Sequence, residues 1–306
     1  MTALAPRFAS FRWLSPAGAI AFTAFAMLAA AAAPAQVQET GATAPVGHAD
    51  PSPSSATSDT QRSPPPGLLG GLGGLRPYLD ERGMTLAVRY ASESAFNASG
   101  GDKHLYRETG QFDLGLTADM GMLAGMEGGT LQTAVTYRRG YDLGAAAGLG
   151  TLQQVQEVYG RGQTWRLTQF WYEQRIGRAR LKLGRSSPGE DFEGFSCHFQ
   201  NLSFCGSQPG NVVGDYWYNW PVSQWSARLR YDAGTRFVQV GLYEVNPRNL
   251  EKDFLAWHLH GQTGVLVPVE IGTAAASART GHVRSFRVGG WWTSADADDV
   301  LRNVAG

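Results

Sequence analysis

Nine stretches of this chain alternate apolar and polar side chains residue by residue. Met84, Leu86, Val88 and Tyr90 interleave with Thr85, Ala87, Arg89 and Ala91; Phe112, Leu114, Leu116 and Ala118 interleave with Asp113, Gly115 and Thr117. The same pattern returns at Leu131–Tyr137, at Trp225–Tyr231 around Arg228 and Arg230, and at Phe286–Trp292 around Arg287. A period of two means strands with unlike faces. The spacing predicts strands near 83–92, 108–120, 128–139, 165–175, 178–185, 223–232, 235–246, 262–272 and 282–293. Only 67–83 reads as helical, with Leu75 and Leu79 behind Pro77 and a glycine stop at Gly83. The fold class is therefore all-β and antiparallel.

The connections add a second constraint. Ile176-Gly177-Arg178 and Asp232-Ala233-Gly234-Thr235 read as tight turns, whereas 140–163, 186–215 and 247–261 are long. Short turns alternating with long loops are the arrangement of a transmembrane barrel. The apolar faces end repeatedly in aromatic residues (Tyr90, Tyr137, Tyr231, Trp292), as a membrane-interface girdle requires, while arginine recurs on the polar faces. A soluble β-sandwich also alternates and is the competing architecture. A formal net charge of zero gives no electrostatic case for nucleic acid, and the mean hydropathy of -0.24 suits either fold.

The N-terminus reads as an export signal. Arg7 and Arg12 precede the apolar run Ala17–Ala33, and Ala33-Pro34-Ala35 offers a cleavage site, so residues 1–35 are expected to be a signal peptide. Residues 36–67 are rich in Pro, Ser and Ala and are expected to form a disordered leader, leaving 68–306, roughly 240 residues, as one domain. In an exported chain Cys197 and Cys205 suggest a local disulfide; a metal site with His198 lacks the four-ligand spacing of structural zinc.

The residues Leu68-Leu69-Gly70, Gly73-Gly74-Leu75-Arg76, Leu79–Gly83, Trp171–Gln174, Leu183-Gly184-Arg185 and Asp191-Phe192 resemble those of the carbohydrate-selective (OprB-like) porin family. The resemblance is most specific in Phe199-Gln200-Asn201-Leu202, Cys205-Gly206, Gln208-Pro209-Gly210 and Tyr216–Pro221, and it continues through Pro268-Val269-Glu270 and Gly289-Gly290-Trp291. It implies an antiparallel transmembrane β-barrel for passive sugar diffusion, narrowed by loops folded inward. About nine strands are present of the sixteen that the resemblance implies, and the chain ends in a polar turn at Gly306, so a C-terminally truncated copy is expected.

A sugar pore needs hydroxyl-bonding groups and apolar ring faces at a constriction, not a catalyst. With the apolar faces toward lipid, the lumen receives Arg89, Arg138, Arg228, Arg230 and Arg287, with Asp113 and Asp119 opposing; Arg166 is a further candidate lining residue. On strand 165–174 the face assignment stays open: Arg166 and Thr168 share one side, Gln169 and Glu173 the other. From the loops, Asp191 and Glu193 are candidate lining residues, and Trp217 and Trp220 are candidate sugar platforms or interfacial anchors. No G-x-S-x-G, H-E-x-x-H or P-loop motif supports an enzyme, and neither cofactor nor metal is expected. Expected partners are sugars, outer-membrane lipid, the barrel-assembly machinery and further copies of the chain, and the expected location is the outer membrane. The alternatives are a soluble exported β-sandwich that binds carbohydrate and a nonfunctional porin fragment.

Overall fold

The structure is a computed structural model that describes residues 70–193, 199–255, 257–276 and 283–296. The expected signal peptide and leader, along with Cys197, lie outside the described residues. Nine strands form one sheet in sequence order: β1 Met84–Phe96, β2 Tyr106–Asp119, β3 Gly129–Gly140, β4 Thr164–Ile176, β5 Ala179–Ser186, β6 Gln224–Ala233, β7 Arg236–Val245, β8 Gly264–Ala276 and β9 Val283–Thr293. Each pairs antiparallel with its successor. The nine expected strands are all present. A sandwich needs a second sheet facing the first, and the described residues form one sheet.

Several ends differ from expectation. β1 continues to Phe96 because the ladder with β2 persists to the Phe96–Tyr106 pair after both faces have turned polar. The helix expected at 67–83 is a short one, α1 Leu75–Asp80. Other single helical turns occupy connections, such as α2 Met120–Ala124 and α3 Pro188–Asp191, which are too short to show a helical period.

Connections alternate by length. The two-residue turns 177–178 and 234–235 lie at one end of the sheet, and 141–163, 187–223 and 246–263 lie at the other. Segments of the long loops, at 157–160, 187–193 and 249–251, fold back over one face, which we call the covered face, while Trp257 of the third loop meets Phe170 and Trp225 on the other. The opposite, bare face carries continuous apolar rows in direct register: Leu181, Leu229, Val240 and Val269, then Tyr231, Val238, Ile271 and Val288. Leu229 is 50% exposed, Leu242 50% and Trp292 54%. Water does not tolerate an apolar sheet face of this extent, whereas lipid does. Near its long-loop end the bare face carries a row of rings, Tyr90, Phe112, Tyr137 and Trp165, each paired with the next across the strands. Tyr137 stacks on Trp165 at 5.0 Å and Phe112 meets that indole edge-on at 5.9 Å.

β4 resolves the open face assignment. The register against β3 shifts between Ala134 and Val135, so Thr168 is the extra residue of a bulge and donates to the Ala134 carbonyl at 3.0 Å. The bulge turns Arg166, Thr168, Gln169, Trp171 and Glu173 all onto the covered face, leaving Phe170 bare.

Candidate functional site

The covered face of β4–β8 is a ladder of charge. Glu173, Lys182 and Arg228 stand in one cross-strand row; Arg180, Arg230, Gln239 and Glu270 stand in the next; Asp232, Phe237 and Arg287 follow. Period two delivers every one of them to the same side. Arg228 pairs with Glu173, and both Arg180 and Arg230 reach Asp232 at 2.8 Å. Arg230 also covers the Phe237 ring at 3.8 Å.

The loop after β5 is tied down onto this ladder. α3 opens with a capping box, Ser187 with Glu190, and presents three consecutive carriers of contact. Asp191 receives Lys182 Nζ at 2.6 Å, Arg228 at 3.2 Å and the Tyr243 hydroxyl at 2.9 Å. Gln169 donates to Glu190 at 2.9 Å, and Lys182 approaches the same carboxylate at 3.9 Å. The Phe192 ring lies over β7, where a Cβ on Gly241 would come within 2.7 Å of it, so a side chain there would lift the loop. The Glu193 amide then donates to Glu270 at 2.8 Å, and the Gln239 amide donates to the Asp191 carbonyl at 2.5 Å. Lys182 is 4% and Asp191 6% exposed, so the pair exchanges little with water.

The other long loops use buried arginines in the same way. Arg138 donates to Gln111 at 2.5 Å, to the Gly160 carbonyl at 2.7 Å and to Glu157 at 2.8 Å, which folds 157–160 inward. Arg166 donates to the carbonyls of Asn249, Leu250 and Glu251 at 2.8–3.2 Å. Arg138 was expected on this face and Arg166 lay on the strand left open; both lie here, where they anchor loops.

Arg89 stands opposite Asp113, which accepts from Gln111 and Thr136 at 2.7 Å each. Asp119 differs from its expected place: its carboxylate caps α2 at the short-turn end, accepting from Gly121 and Met122, and does not join the ladder. Trp217 is not an open platform, since it is 2% exposed in a cluster with Phe192, Tyr218, Val222 and Tyr243; Trp220 is half-buried. Cys205 is disulfide-bonded and buried. Lys182, Glu190, Gln239, Tyr243 and Glu270 were not singled out from sequence, yet Lys182, Gln239 and Glu270 each sit between two apolar strand residues, which is the mark of an inward polar position.

Burial pushes Glu190 above the usual glutamate range; Lys182 pulls it back and neighbouring Asp191 adds to the rise. Burial also raises Glu193, against hydrogen bonds from Ser207 and the Gln208 amide and with Glu270 adding to the rise. For Asp191 burial acts upward too, but Lys182 and Arg228 outweigh it and hold the group below the usual aspartate range. The signs separate. Above 4.5 the folded state binds more protons at Glu190 and Glu193 than the unfolded chain does, so the loop holds more firmly as pH falls through their raised values toward 4.5. Below 3.8 the folded state binds fewer at Asp191, and that contribution is lost as pH falls further. Denaturant unfolding as a function of pH is expected to show greatest stability in mild acid, and Glu190→Gln is expected to flatten the neutral limb. Stability that climbs steadily from mild acid to neutral would contradict this assignment.

Residues 103–306 match the family model "Carbohydrate-selective porin, OprB family". The chain belongs to this family. It is similar to Porin B of Pseudomonas aeruginosa, with 43% identity over 249 residues covering 78% of this chain and 55% of that protein. Among solved structures it is similar to the high-pH structure of Pseudomonas putida OprB, with 41% identity and a TM-score of 0.71 over 76% of this chain and 57% of that one. The chain thus spans about half the length of these OprB-family relatives. The antiparallel sheet of the described residues, with one bare apolar face, is a porin-type all-β fold.

Proposed function

We propose that this chain supplies wall and constriction to an outer-membrane channel through which carbohydrates diffuse passively. The observation that carries the reading is the contrast between the two faces of one sheet. The bare face is apolar from β4 to β9 and is rimmed by aromatic rings, as contact with lipid requires. The covered face is lined by hydrogen-bonding groups and carries the loop 187–193 pinned over it. Its cations are compensated: Lys182, Arg228, Arg180 and Arg230 each face a carboxylate, so the wall presents no ring of one sign that would select an ion. Such a wall exchanges hydrogen bonds with sugar hydroxyls and releases them again. Arg89, Asp113, Arg228, Arg230 and Arg287 are the lining residues of this reading. Asp191 and Glu193 set its narrowest segment, and a Cys197–Cys205 disulfide shapes the loop behind it. Glu93, Glu157 and Arg138 fasten the neighbouring loop to the same wall.

The full chain, recovered from outer membranes and reconstituted in vesicles, is expected to admit a hexose faster than a tetrasaccharide in swelling assays. Recovery as a detergent-independent protein of the periplasmic fraction would overturn the reading in favour of a soluble protein that binds carbohydrate.

A further inference from the structure

The wall is notched where β5 stops. β5 ends at Ser186, while β4 continues through 164–169 beyond its last pair with β5 at Phe170–Arg185. The third long loop fills the notch: Phe254 accepts from the Leu167 amide at 2.8 Å, satisfying an edge that β5 leaves open. The loop is also held further along, where Asn246 donates to the carbonyls of His258 and His260 at 3.3 and 3.2 Å. A charge sits at the same place. Arg185 shares the parity of Leu181 and Leu183, so it belongs to the bare face, in direct register with Phe170 on one side and Trp225 on the other. A guanidinium is among the costliest groups to leave open to hydrocarbon. Arg185 is fully buried, with Glu244 at 3.8 Å and Asn249 accepting at 3.0 Å. The Trp257 indole bridges the two rings that flank it, 5.9 Å from Phe170 and 5.5 Å from Trp225.

We propose that segment 254–259 is a strap that seats in the acyl–headgroup boundary of the outer leaflet and closes the wall over Arg185, a reading that rests on the outer-membrane assignment above. Lipid is the occupant because the strip continues the lipid-facing surface. Phe254, Leu255, Trp257 and Leu259 are large, apolar and exposed, and Trp257 joins them to Phe170 and Trp225, which already belong to the bare face. The described segments 157–160 and 187–193 of the other long loops turn the opposite way, onto the covered face. The exposed neighbours Glu251, Lys252 and Asp253 keep the strip at the boundary and out of the hydrocarbon centre. Indole is suited to that level, with an apolar body and one polar N–H.

The full chain in phosphatidylcholine vesicles, with or without bromine on the acyl chains, tests this. A bimane label is placed on Leu255→Cys in the strap, on Leu229→Cys of the bare face, or on Leu152→Cys, a fully exposed site in another long loop. Bromine is expected to quench the labels at 255 and 229 about two-fold and to leave the label at 152 unchanged. Trp257→Ala, added to Leu255→Cys, is expected to remove most of the quenching at 255; Leu259→Cys reads the same strip if Leu255→Cys does not fold. Quenching at 229 without quenching at 255 or 259 sinks the strap and leaves the lipid-facing wall standing. Quenching at 255 alone upholds the strap and sinks that wall, and quenching at neither sinks both. Quenching at 255 that persists in Trp257→Ala, or a disulfide formed between two chains by unlabelled Leu255→Cys, overturns the strap, the latter in favour of a second copy as the occupant.

Discussion

Asp191→Ala is expected to release the loop 187–193 from the sheet and to cost about 3 kcal/mol of folding stability. The residue is the meeting point of two buried cations from adjacent strands, Lys182 on β5 and Arg228 on β6, and of the Tyr243 hydroxyl on β7. Removing one partner of a buried pair leaves the other charge desolvated and uncompensated, and such losses run to about 3–5 kcal/mol. The lower figure applies because neither cation is stranded: Arg228 keeps Glu173, and Lys182 keeps Glu190 at 3.9 Å. Asp191→Asn retains an acceptor for Tyr243 and is expected to lose less. Denaturant unfolding gives the energy, and protease sensitivity within 187–223 reports release of the loop. On the channel reading, the same variant is expected to raise single-channel conductance. Unchanged stability together with a protected loop would show that Phe192 and the Glu193–Glu270 contact hold the segment without the carboxylate.

The strands were legible because two solvents act on them. Where a sheet faces lipid on one side and a hydrated, loop-covered space on the other, every residue is sorted by its parity, and Leu229 between Arg228 and Arg230 is unambiguous. β4 was not legible because a single extra residue, Thr168, reverses the parity halfway along, and nothing in its side chain announces a bulge. The placement of arginines was legible and their work was not. Arg138 was assigned to its face by parity and Arg166 was not, and both donate to carbonyls as far as 19 to 85 residues away, set by how the loops return. Asp119 ended its strand in good alternation and still serves α2, since a helix cap depends on the backbone that follows. The density of rings in 216–231 was visible at once, yet the burial of Trp217 depends on β9 lying beneath it, a contact between residues 74 positions apart.

Gly184→Ala is expected to be the most damaging small substitution in the sheet. The residue has φ +136, a conformation that side-chain-bearing residues rarely adopt, and a Cβ built there would lie 2.3 Å from the Phe170 carbonyl oxygen and 2.6 Å from the Trp171 Cα. Both atoms belong to the paired strand β4, so relief requires β4 and β5 to move apart. Movement is costly on either side. Trp171 lies under the Lys182 ammonium at 4.7 Å, which ties β4 to the charge ladder. Arg185, the next residue along β5, is fully buried and donates to the Ser223 carbonyl at 2.5 Å and to Asn249 at 3.0 Å, which ties β5 to two loops. Backbone strain of about 1–3 kcal/mol and overpacking of about 1–3 kcal/mol add to an expected loss of about 2–6 kcal/mol. Gly290→Ala is the matched control, since a Cβ there meets nothing within 4 Å and the backbone is ordinary; its effect is expected within about 0.5 kcal/mol. The fraction of heat-modifiable, folded protein on gels reads the difference directly. Equal folded fractions for the two variants would mean that the β4–β5 ladder yields at Gly184 without losing the contacts of Arg185.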